Sequence, residues 1–233
     1  MSAVLVALHG ANGSAATMAP LLEQLNPAIP VFVPEWPGHG GRSLPERLDV
    51  RTVAMDVLAQ MDERGLERAA FFGYSLGGLV ALYLARHFPQ RTLGVATLAT
   101  RVVFDDDAIK HLLHVSEPER LKKIPNRPFL LQARHAPNRW EDVIAMNRQL
   151  FSGLQAQPPV LGYDLSQIQA PALVMCGDKD SLVTTGEARE VARLLGADTW
   201  VFAGPSHPIT SCPLNTIAQK IEHWYRASVK SRS

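Results

Sequence analysis

Ser75 stands between glycines in the stretch FFGYSLGGLV (71–80), with two phenylalanines before it and a second apolar run after it. A serine hydroxyl attacks a carbonyl carbon only when a base takes its proton and a third group orients that base. Two late histidines, His207 and His223, and two carboxylates, Asp178 and Asp180, can complete such a set in the order Ser, acid, His. His223 falls within IEHWYRA, a helical pattern that turns it to solvent. His207, in AGPSHPIT, directly follows a strand pattern, which makes it the better base. Asp178 and Asp180 both follow the run PALVMC, and residue chemistry does not separate them, because Gly-Asp pairs also make ordinary turns.

The elements around Ser75 must present its hydroxyl. A buried strand ending at Phe71–Phe72 and a helix opening at Leu76 leave only a sharp reversal between them. Such a turn drives its central residue to positive φ and brings the residues two before and two after it close together. Both of those are glycine, Gly73 and Gly77, and Gly78 lets the helix pack closely. G73-Y74-S75-L76-G77 therefore reads as a nucleophile elbow, with a glycine-rich packing turn as the plainer alternative. An oxyanion needs two backbone N–H donors. Leu76 supplies one at the helix N-terminus, and Ala11, in LHGANGS after the first strand, is the expected second. His9 is expected to brace that loop rather than transfer protons.

The chain alternates as such a site requires. Strands are expected at Ala3–Leu8, Val31–Val33, Ala69–Phe72, Leu93–Leu98, Ala172–Cys176 and within DTWVFAG. Helices are expected at Thr17–Leu25, Val50–Arg64, Leu76–Phe88, Glu187–Leu195 and Leu214–Tyr225. Continuous apolar strands between helices indicate an α/β chain with a parallel sheet covered on both faces. The alternation stops between about 105 and 164, where Ile109–His114 and Trp140–Phe151 read as helices with apolar faces to bury. The expected organisation is a core of residues 1–104 and 165–233 with a small helical cap at 105–164.

Composition excludes several classes. Of 233 residues 46% are hydrophobic and 19% charged, and the net charge of +1 gives no field for nucleic acid or an anionic membrane. Two cysteines, Cys176 and Cys212, make no disulfide framework and fit a reducing, cytoplasmic setting. MSAVLVALHG lacks the basic flank and cleavage site of a signal peptide. The uncharged run Ala69–Ala85 only reaches the lower limit for a membrane helix, roughly 17 residues, and has three glycines inside it. Neither a zinc motif nor a phosphate or dinucleotide loop is present, so no metal or cofactor is expected.

With these residues placed, the chain resembles the α/β-hydrolase family over nearly its whole length. The resemblance rests on H9-G10, PGHGGRS (37–43), GYSLGG (73–78), GDKDSLV (177–183) and SHP (206–208). It implies an α/β-hydrolase fold of about six strands without the usual N-terminal hairpin, and it favours Asp180 as the acid beside Ser75 and His207. The new edge strand would then need cover from a loop or a homodimer. The implied activity is serine hydrolysis of a small carboxylic ester or thioester. A menaquinone-pathway-like lyase, a carbon–carbon bond hydrolase and a small-molecule receptor with little turnover use the same three residues. Leu79 stands where such lyases often carry Arg, and Arg127, Arg134, Arg139 and Arg148 read as a solvated helix face. Asn12, His135, Trp140 and Tyr163 are the candidates for the substrate pocket, with cap packing as the competing role of the last three.

Overall fold

The structure, a computed structural model, describes residues 3–229. Six strands, β1 (Val4–Leu8), β2 (Val31–Phe32), β3 (Ala69–Tyr74), β4 (Thr92–Leu98), β5 (Ala172–Gly177) and β6 (Asp198–Phe202), form one sheet. The order is β2-β1-β3-β4-β5-β6 and every pairing is parallel. Alternate residues of each strand feed two cores, as a sheet buried on both faces demands. Val6, Leu8, Phe71, Val95 and Val174 face one way, against helices α2 (Val50–Asp62), α3 (Leu76–His87) and α9 (Thr185–Leu195). Leu5, Ala7, Phe72, Ala96 and Met175 face the other way, against α1 (Ala15–Leu22) and α10 (Leu214–Trp224). Each fully buried Phe or Leu here contributes roughly 1.5–3 kcal/mol.

The run Ala69–Ala85 divides between β3 and α3, and among the described residues no helix is long and apolar enough to cross a membrane. The edge strand β2 is only two residues long, and the Arg64 guanidinium lies 4.1 Å from the centre of its Phe32 ring. A two-residue edge offers little to pair with.

Between β4 and β5 the chain forms α4 (Asp106–Val115), α5 (Pro118–Leu121), α6 (Arg127–His135), α7 (Trp140–Gly153) and α8 (Gly162–Leu165). Helix α4 starts three residues before its predicted apolar face, because Asp105 caps it by accepting from the Ala108 N–H at 2.8 Å. Helix α8 packs on α3 and α9, and Arg86 Nε meets Asp164 Oδ1 at 2.9 Å. Val160, Leu165 and Ile168 join the main core. Ile109 of α4 and Val143 and Leu150 of α7 belong to the same core cluster.

Candidate active site

Four strands deliver their following residues to one edge of the sheet. β1 leads to His9–Ala11, β3 to Ser75, β5 to Asp180 and β6 to His207. Ser75 has φ +54° and ψ −120°, the strained geometry expected of the elbow. Its N–H donates to Leu98 O at 2.8 Å, and Thr100 Oγ1 donates to its carbonyl at 3.2 Å, so the end of β4 and the residues just after it hold the turn. A Cβ on Gly73 would run into the Gly77 carbonyl, and one on Gly77 into the carbonyls of Leu8 and His9. Both glycines are steric requirements of the turn.

Ser75 Oγ lies 2.9 Å from His207 Nε2, and His207 Nδ1 lies 2.8 Å from Asp180 Oδ2. A carboxylate at Nδ1 fixes the proton there and leaves Nε2 free to accept one from serine. Asp180 Oδ1 accepts from the N–H groups of Leu182 (2.7 Å) and Val183 (2.9 Å). Burial pushes the Asp180 carboxyl up, but hydrogen bonds from His207, Ser206 and the Leu182 N–H outweigh burial and hold it below the usual range. Asp178 is exposed and plays a structural part. Its Oδ1 accepts from the Gly204 N–H at 2.7 Å and ties the turn after β5 to the turn after β6.

Two contributors lie within the motifs, at positions to which the sequence assigns no role. Ser206 is fully buried, donates to Asp180 Oδ2 and accepts from the Gly177 N–H at 3.1 Å. Its position beside His207 in SHP is the one sequence signal for it. Tyr74 packs its ring 5.2 Å from the imidazole of His207.

Ala11 and Leu76 both border a cavity of about 1160 Å³ that opens over Ser75 and His207. Among the described residues neither N–H has an acceptor, which leaves both able to donate to an incoming oxygen. The loop bearing Ala11 is clamped from several sides. His9 is fully buried, stacks on Trp36 at 4.0 Å and donates from Nδ1 to Gly10 O at 2.9 Å, a bracing role. Asn12, at φ +58°, gives its carbonyl to Arg134 Nη1 (2.8 Å) and His135 Nε2 (3.2 Å). Its Oδ1 accepts from Asn147 Nδ2 at 2.9 Å, and the same amide donates to His39 Nε2 at 3.0 Å.

The four pocket candidates separate. Asn12 lines the cavity. His135 does not; it is fully buried beneath the loop and braces Asn12, which corrects its expected place. Trp140 packs with Leu121, Leu131 and Ile144 inside the cap, because its ring completes that small core. Tyr163 is 63% exposed, on α8 at the outer side, and touches no part of the cavity. The cavity wall is instead largely aliphatic and aromatic, with Leu79, Leu112, Phe151 and Leu154 prominent, and it includes Arg127 and Arg134. The solvated-face reading holds for Arg139, which is exposed, and fails for that pair. Arg148 turns back on the Leu113 carbonyl and Ser116 Oγ.

The buried imidazoles make stability depend on pH. Burial pulls His39 and His135 down to about 4 and His9 well below its usual value. Below about pH 6.5 the unfolded chain takes up protons that the folded chain refuses. The stabilisation is complete above pH 6.5 and is lost as pH falls from 6.5 toward 4, at up to about 1.4 kcal/mol per pH unit for each histidine. Urea midpoints at pH 7, 6 and 5 should fall steeply in wild type and less steeply in His39→Gln; parallel slopes would remove His39 from the account.

Known proteins share this architecture. The model of the alpha/beta hydrolase family matches residues 5–219. A pimeloyl-[acyl-carrier protein] methyl ester esterase of Chromobacterium violaceum is 29% identical over 94% of this chain and 92% of its own length. The biotin biosynthesis bifunctional protein BioHC of Cellvibrio japonicus is 26% identical over 95% of this chain, which spans only 47% of that longer protein. Among solved structures, a thermophilic esterase from Thermogutta terrifontis superposes with a TM-score of 0.79 at 21% identity, covering 98% of this chain and 91% of that one. At that identity the likeness speaks for the fold.

Proposed function

The chain belongs to the alpha/beta hydrolase family, and from that premise we propose that it cleaves a small carboxylic ester or thioester through an acyl-enzyme on Ser75. The observation that carries the reading is the hydrogen-bonded series Ser75 Oγ, His207, Asp180 at the floor of the cavity. Ser75 Oγ attacks the acyl carbon while His207 Nε2 takes its proton. The Asp180 carboxylate, held ionised by its N–H and O–H donors, stabilises the imidazolium through Nδ1–H. The oxyanion receives the N–H groups of Ala11 and Leu76, the latter at the positive end of α3. The tetrahedral adduct collapses, and the alcohol or thiol leaves with the proton from His207. Water, deprotonated by the same nitrogen, then releases the acid and restores Ser75.

The esterase names of the relatives support ester chemistry over the lyase and carbon–carbon alternatives. The buried free thiols Cys176 and Cys212 support a reducing, cytoplasmic setting. Wild-type protein is expected to turn over p-nitrophenyl esters from acetate through octanoate, with the chain-length optimum sizing the aliphatic wall. Inability to hydrolyse any of them would contradict the esterase reading and favour a receptor.

A further inference from the structure

Arg127 and Arg134 face the cavity above Ser75 from opposite ends of α6. A cation on a cavity wall is ordinarily neutralised by an acid, as Arg101 is here by Glu187, Nη2 to Oε2 at 3.1 Å. Among the described residues neither Arg127 nor Arg134 has a carboxylate within ion-pair distance. Arg127 Nε is buried and has no hydrogen-bond acceptor. Arg134 spends one N–H on Asn12 O, which sets its guanidinium over the oxyanion loop. Burial, and then the neighbouring Arg127 charge, both act against the charged form of Arg134. The acid that also borders the cavity, Glu35, is committed elsewhere: Oε1 accepts from the Ala15 N–H at 2.5 Å and lies 3.6 Å from His9 Nε2. Two like charges on one cavity wall without a counter-charge cost free energy unless an anion joins them. Planar guanidinium groups match the paired oxygens of carboxylate and phosphate.

We propose that Arg127 and Arg134 form an anion-binding subsite of the catalytic cavity, so that the natural substrate carries a carboxylate or phosphate in addition to its scissile bond. This rests on the cavity being the ester site. The aliphatic residues of the same cavity then hold the carbon chain, and the anion sets its register. Neutral esters fill the same wall without this anchor.

The test reads binding without turnover, in the full-length Ser75→Ala protein, by calorimetry. Three probes are compared: monoethyl adipate with its charge on the acyl half, 2-phosphoethyl butyrate with its charge on the alcohol half, and neutral diethyl adipate. At least one anionic ester should bind about tenfold or more tightly than diethyl adipate, the scale of a charge-assisted contact. The one preferred tells which half bears the charge. Adding Arg127→Gln should bring that ratio close to one, Arg127→Lys should keep part of it, and raised salt should shrink it. Equal binding of all three probes, or a preference that survives Arg127→Gln unchanged, overturns the proposal. Either failure leaves ester hydrolysis standing, because that is judged by wild-type turnover.

Discussion

Ser75→Ala is expected to lower kcat/KM for p-nitrophenyl esters by at least about 10⁴-fold, while the protein stays folded. That loss equals about 5 kcal/mol of transition-state stabilisation. The reasoning separates chemistry from structure. The elbow is held by the Ser75 N–H on Leu98 O and by Thr100 on the Ser75 carbonyl, and neither bond uses the hydroxyl. Alanine keeps the Cβ and meets the same positive φ, so the strain is unchanged. The urea midpoint should therefore move by less than about 1 kcal/mol in stability. Residual activity above solution would come from Ala11, Leu76 and the cavity alone. A variant that kept a tenth of wild-type activity would mean that another group attacks.

Asp180→Asn is the second large effect, a loss of about 10⁴-fold in kcat, set against Asp178→Asn as its control. The carboxylate accepts from His207 Nδ1–H and from the buried Ser206 hydroxyl. An asparagine either places its NH2 at the Oδ2 position, where it donates to Nδ1, moves the imidazole proton to Nε2 and removes the base, or places it at the Oδ1 position, against the N–H donors of Leu182 and Val183. Asp178→Asn keeps an oxygen for the Gly204 N–H and should stay within about twofold of wild type. Stopped-flow and steady-state assays of both variants on one ester decide it. If Asp178→Asn were the inactive one, the acid would be misassigned despite the hydrogen bonds.

Much of this arrangement is legible in the chain. Six apolar runs become six parallel strands, because a sheet buried on both faces needs Val, Leu and Phe in succession rather than in alternation. The elbow is legible because two glycines at fixed offsets from Ser75 answer a steric demand that no other residue meets. The choice between Asp178 and Asp180 is not legible from residue chemistry. It depends on which carboxylate the N–H groups of Leu182 and Val183 turn toward His207, and that follows from turn geometry.

The cap is the least legible part. The apolar pattern does not mark helices α5, α6 and α8, and for α6 the reason is physical. That helix borders a cavity, which Leu130 (50% exposed) lines, while Phe129 (74% exposed) faces neither cavity nor core, and Leu131 and His135 alone are fully covered. Pro128 in its first turn is the remaining start signal. Cavity-facing and core-facing residues have the same side chains, which is why the sequence suggests Trp140 for the pocket and the Arg127–Arg134 pair for the surface. His135 suggests a pocket residue because a cap histidine resembles a ligand contact; instead it braces the backbone that carries the oxyanion donor.

The central claim is that Ser75 becomes covalently bound to the reacting group, and the most direct test is the mass of the protein after reaction with a fluorophosphonate. Wild type should gain one phosphonyl group per chain, located by peptide mapping on Ser75, and Ser75→Ala should gain none. An unmodified wild type, or a label on any other residue, would contradict the account.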